Sequence, residues 1–76
     1  MPKGTVSDPV TALGERLREE RVEAGLSQAD LAEMLGTQSN RVSDWELGRH
    51  TPTLPLLERI AGVYDITVSR LLRGVM

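Results

Sequence analysis

Apolar residues at Val10, Leu13, Leu17 and Ala24 recur with the spacing of one helical face, and Glu15, Arg16, Arg18, Glu19, Glu20 and Glu23 fall between them. The pattern predicts an amphipathic helix with a solvated charged face. Asp8 is its expected N-cap, and Pro9 occupies the first helical position, where a missing N–H costs nothing. Gly25 is expected to end it in the left-handed conformation. Leu26 stands at a staple-like position before a second cap, Ser27. A second helix over Gln28 to Leu35 turns Leu31, Ala32 and Leu35 inward and stops at Gly36. A third begins after Thr37 as N-cap and stops near Leu47, with Gly48 at its C-terminus. The stretch "RHTPT" reads as a loop. Thr53 can then cap a fourth helix from Leu54 to Tyr64, with Pro55 tolerated in its first turn and Leu54, Leu57, Ile60, Ala61 and Tyr64 inward. Asp65 and Ile66 make a turn, and Thr67 caps a short fifth helix carrying Val68, Leu71 and Leu72. No alternating apolar and polar run resembles a strand. The expected fold is all-α: five short helices in one compact domain over residues 8–76, after a flexible arm over residues 1–7.

Length and composition narrow the function. A chain of 76 residues is one domain. Such a chain buries only about 60% of its unfolded surface, so oligomerisation can supplement its stability. With no Cys there are no disulfides, thiolate nucleophiles or thiolate zinc sites, and His50 alone makes no metal site, so neither metal nor cofactor is expected. No apolar run approaches the roughly 18 residues of a membrane span, and "MPKGTVSDPV" has no hydrophobic signal core. A soluble, cytoplasmic chain without a membrane partner is expected. The carboxylates are scattered over solvated faces, with no nucleophile–base arrangement and no phosphate loop, which excludes an enzyme. The net charge of −2 argues against a general nucleic-acid binder that relies on neutralising phosphates, though not against one that reads bases with neutral groups. Trp45 and Tyr64 are the only aromatic residues, too few for a single-strand stacking platform.

The third helix is the unusual one. On a wheel of about 100° per residue, Gln38, Val42, Trp45 and Glu46 fall within about 60° of the inward direction. Asn40, Arg41, Ser43 and Asp44 face away, and Ser39 lies at the border. Polarity of this kind also fits an ordinary helix with one wet face. Two short capped helices, a Gly-containing turn between them and a closing Trp45-Glu46-Leu47-Gly48 together form the helix-turn-helix arrangement. Asn and Gln can bond adenine in two-pronged fashion, Asp can accept from cytosine, and Ser suits either. The N-terminal amides of such helices favour phosphate.

The segments "LREERVEAGLSQADLAEMLG", "VSDWELGRHTP" and "ITVSRLL" resemble the Cro/phage-repressor (Xre-like) helix-turn-helix domains, and the resemblance runs from about Leu13 to Leu72. It implies a five-helix domain that binds double-stranded DNA, usually as a dimer and most often as a transcriptional repressor. By position, Gln38, Ser39, Asn40 and Asp44 would face bases or the adjacent sugar-phosphate. Gln28, Arg41, Ser43, Arg49 and the Gly48 amide would meet the DNA backbone. Arg21 and Glu46 would form a buried ion pair between the first and third helices. Three residues depart from the family pattern: Asp44, where many members are neutral or basic; Leu47, in place of a polar or basic residue; and Asp65, where Gly often ends the fourth helix. Asp44 is expected to read cytosine or, alternatively, to pair with Arg41 on the same face. Leu71, Leu72, Val75 and Met76 are more apolar than the docking of one short helix needs, which predicts a homodimer interface there and a palindromic operator. An antitoxin or anti-activator whose main partner is another protein uses the same kind of domain and is the alternative.

Overall fold

Local capping chemistry defines nearly every helix boundary. The computed structural model describes residues 8–73 and residue 75. Helix α1 spans Pro9–Glu23, α2 Gln28–Leu35, α3 Ser39–Glu46, α4 Leu54–Tyr64 and α5 Val68–Leu71, with no strand among the described residues. Asp8 opens α1 by accepting the Thr11 N–H at 2.8 Å. Ser27 and Asp30 form a reciprocal capping box on α2, with bonds of 2.9 and 3.0 Å. Thr53 and Thr67 cap α4 and α5 through the N–H groups of Leu56 and Arg70. The third helix differs from expectation. Its N-cap is Gln38 rather than Thr37, and no side chain bonds its first turn. Asp65 ends α4 in the left-handed region (φ 59°), a conformation that Asp tolerates better than most residues.

Leu13 and Leu17 of α1, Leu31, Ala32 and Leu35 of α2, Val42 and Trp45 of α3, Leu57, Ile60 and Ala61 of α4, and Leu71 of α5 form one apolar core. Gly14 sits at the tightest point. A Cβ there would lie 2.6 Å from the Glu46 carbonyl oxygen and 2.7 Å from that of Trp45, so only glycine lets α1 cross α3 at this distance. No helix among the described residues is long and apolar enough to cross a membrane.

Several sequence expectations need correction. Leu71 is fully buried (0% exposed) and belongs to the monomer's own core, so it cannot face a second subunit. The Thr67 cap sets α5 so that Leu71 enters the space beside α4 and α1. Leu72 and Val75 are half-buried against the same core, while Met76 and the residues 1–7 arm lie outside the described residues. Val10, Ala24 and Leu54, read as inward, are exposed: Val10 and Leu54 lie in the first turns of α1 and α4, and Ala24 is the C-cap of α1. Glu20, read as part of a solvated face, is buried; Arg16 covers it with an ion pair at 2.6 Å and reaches on to the Arg70 carbonyl at 3.2 Å.

Candidate nucleic-acid interface

The site is built on α3, and α3 is held from behind. Val42, Trp45 and Glu46 are buried, whereas Ser39, Asn40 and Arg41 are exposed and Ser43 and Asp44 half-buried. The inward and outward faces therefore follow the expected wheel from Ser39 onward. Gln38 does not: it is exposed, because as N-cap it has extended backbone (φ −109°, ψ 150°) and the helical step does not apply to it. This turns its side chain toward the outward group and brings it beside Asn40, Arg41 and Asp44 along a shallow concavity of about 400 Å³. The loop residues His50 to Thr53 form the far wall.

Behind this face lies a polar cluster that fixes the helix. Arg21 Nε donates to Glu46 Oε2 at 2.6 Å and Arg21 Nη2 to Oε1 at 3.1 Å, a two-pronged pair linking α1 to α3. Arg21 Nη1 also donates to the Leu26 carbonyl at 2.7 Å, which ties the same guanidinium to the loop before α2. The hydrogen bonds to Glu46 hold the Arg21 pKa above its ordinary value, against the opposing effect of burial. The Tyr64 hydroxyl is buried without a hydrogen-bond partner among the described residues; burial, and then the nearby Glu46 carboxylate, push its pKa up.

Gln28 was expected at phosphate. Its side-chain amide instead donates to Glu46 Oε1 at 3.0 Å, so α1, α2 and α3 meet at one carboxylate. The Gly48 amide, also expected at phosphate, donates to the Trp45 carbonyl at 3.2 Å and is engaged in closing the helix. Arg49 is exposed as expected, and its guanidinium lies 3.6 Å from the Asp44 carboxylate. Asp44 thus pairs with Arg49 and not with Arg41, because the turn after α3 folds back: the Arg49 N–H donates to the Asp44 carbonyl at 2.9 Å. Gly14, which sets the close approach of α1 to α3, was not singled out in the sequence. The only signal for Gly14 is a glycine inside a helical pattern.

Comparison with known proteins agrees with this geometry. A helix-turn-helix family pattern matches residues 17–73. The HTH-type transcriptional regulator DdrOP3 of Deinococcus deserti is 46% identical over 63 residues, covering 83% of this chain and 49% of that protein. The chain thus spans about half the length of that relative. The crystal structure of the clp gene regulator ClgR from C. glutamicum superposes with a TM-score of 0.86 at 26% identity, covering 96% of this chain and 94% of that one. The restriction-modification controller protein C.AhdI from Aeromonas hydrophila superposes with a TM-score of 0.76 at 35% identity, covering 83% and 90%.

Proposed function

This chain belongs to the helix-turn-helix family, and we propose that it acts as a sequence-specific transcription regulator by seating α3 in the major groove of duplex DNA. One observation carries this: Ser39, Asn40 and Arg41 project into solvent from a helix whose opposite face, Val42, Trp45 and Glu46, is locked into the core. A rigid back with short hydrogen-bonding side chains in front suits the groove, which is about 12 Å wide and carries a donor and acceptor code on its base edges. The first turn of α3 has no side-chain cap, so its leading amides remain open to a phosphate. Ser39, Asn40, Asp44 and the outward-turned Gln38 are the base-reading group, and Arg41, Ser43 and Arg49 meet the backbone.

Repression follows if the bound site overlaps a promoter. Dimerisation through the half-buried Leu72 and Val75 would place two α3 helices about 34 Å apart and require a palindromic operator with half-sites roughly 10 bp apart. Selection of bound sites from a pool of random duplexes tests the proposal directly. One enriched, two-fold symmetric motif is the expected result; no enriched motif would transfer the role of this face to a protein partner. Sedimentation of the chain alone and on its site tests the dimer.

A further inference from the structure

We propose that Asp44 selects cytosine at one position of each half-site, with Arg49 as the positioning residue that lets a carboxylate approach DNA; this rests on the DNA-binding function proposed above. Asp44 lies one helical turn beyond Asn40 and lines the same concavity as Asn40 and Arg41. Its side chain is 31% exposed, set back from the open front yet within reach of it. An ionised carboxylate has only acceptors. It is repelled by phosphate and by the O6 and N7 acceptors of guanine, and it matches the N4 amino donor of cytosine. Adenine also offers a donor at N6, but its neighbouring N7 acceptor opposes the second carboxylate oxygen.

A bare carboxylate is a poor group to bring toward a polyanion, and the structure contains the compensation. Two main-chain bonds from the loop, Arg49 N–H at 2.9 Å and His50 N–H at 3.4 Å, converge on the Asp44 carbonyl and hold the Arg49 backbone next to this residue. The Arg49 guanidinium then stands 3.6 Å from Asp44 Oδ1. At that separation it offsets the charge without forming a hydrogen bond, so the carboxylate oxygens keep their acceptor capacity for a base. The Arg49 side chain is 69% exposed, so it can touch a backbone phosphate while it stays beside Asp44. Cation and anion together present an almost neutral pair to the DNA, the anion the less exposed of the two.

The test is site selection from random duplexes with the wild-type chain and with Asp44→Asn, Asp44→Ala, Arg49→Gln and Arg49→Lys, each checked by circular dichroism. The wild type is expected to favour cytosine at one position per half-site by roughly tenfold or more. Asp44→Asn should lose that preference or shift it to adenine, and Asp44→Ala should abolish it, with every other position unchanged. Arg49→Gln should flatten the same position, and Arg49→Lys should restore it, since a lysine keeps the charge. If Asp44→Asn and Asp44→Ala instead weaken all sites evenly and leave the base preferences intact, the inference fails while DNA binding stands. If the wild type enriches no site, DNA binding itself is overturned, and this inference with it.

Discussion

Replacing Glu46 with alanine removes the carboxylate on which three helices converge. Glu46 accepts from Arg21 Nε at 2.6 Å, from Arg21 Nη2 at 3.1 Å and from Gln28 Nε2 at 3.0 Å. The two charged side chains are 11% and 3% exposed, so neither partner can turn to water when the other is deleted. After Glu46→Ala the guanidinium keeps one described acceptor, the Leu26 carbonyl at 2.7 Å. A stranded buried charge of this kind costs roughly 3–5 kcal/mol. Total stability for a domain of this length is on the order of 4–11 kcal/mol, so the variant should be marginal. In a thermal melt the shift should be roughly 12–40 °C downward.

The assay is urea unfolding followed by the fluorescence of Trp45, the only Trp of the chain, buried one residue from Glu46. The midpoint should fall with the slope unchanged, as expected when native stability alone is affected. A double variant, Arg21→Met with Glu46→Leu, separates charge from shape. With both charges gone nothing is stranded, so it should cost much less than the two single changes added together. Glu46→Ala within half a kcal/mol of wild type would refute the assigned role of the pair, as would single costs that simply add.

Gly14→Ala should destabilise by about 1–3 kcal/mol despite alanine's better helix propensity, because the new Cβ meets two backbone carbonyl oxygens at 2.6 and 2.7 Å; a melting temperature at or above wild type would contradict this. Tyr64→Phe should leave stability unchanged or raise it by about 1 kcal/mol, since the buried hydroxyl has no partner among the described residues. A loss above about 1 kcal/mol in urea unfolding would reveal a hydrogen bond there. The N–H and hydroxyl of Ser27 lower the pKa of Asp30 below 3.8, so the capping box contributes stability above that pH and loses it as the pH falls through the lowered value. Asp30→Asn should therefore weaken the acid dependence of the urea midpoint below about pH 4, and an unchanged acid limb would deny the cap its role. Salt titration of DNA binding should give a log–log slope of about −4 for a dimer that uses Arg41 and Arg49 of each subunit, and a slope steeper than about −7 would mean a larger basic surface.

Capping is the part of this fold most legible in the sequence, because it involves residues three apart whose chemistry needs no tertiary partner. Asp8, Ser27, Thr53 and Thr67 all cap the helices that their positions suggest. The outward face of α3 is legible for a related reason: a helix of eight residues keeps its periodicity from end to end. What escapes is set by where helices end relative to one another. Leu54 has the spacing of an inward residue yet, as the first residue of α4, is 60% exposed. Glu20 has the spacing of a solvated one, yet Arg16 and the packing of α5 enclose it. Leu71 could complete a core or a dimer on composition alone, and only the depth of the site beside α4 and α1 decides for the core. The partner of Asp44 escapes likewise, because helical spacing favours Arg41 whereas the fold-back after Gly48 delivers Arg49.

The acidity of the chain is also resolved by following each charge to its contact. Arg21 is held by Glu46 and the Leu26 carbonyl, Arg16 by Glu20 and the Arg70 carbonyl, and Arg59 donates to the Leu35 carbonyl at 3.0 Å. These three arginines join helices to one another, and two of them end on carbonyls at helix C-termini, where a cation also complements the helix dipole. Asp8 and Asp30 do the corresponding work at N-termini, where an anion does the same. Much of the formal charge thus belongs to the internal architecture and is unavailable to a polyanion. Near α3 that leaves, among the described residues, Arg41 and Arg49, the second already shared with Asp44. A surface with so few free cations among the described residues gains little affinity from phosphate alone, so on the proposed function its discrimination between sites would come from the short side chains at the front of α3.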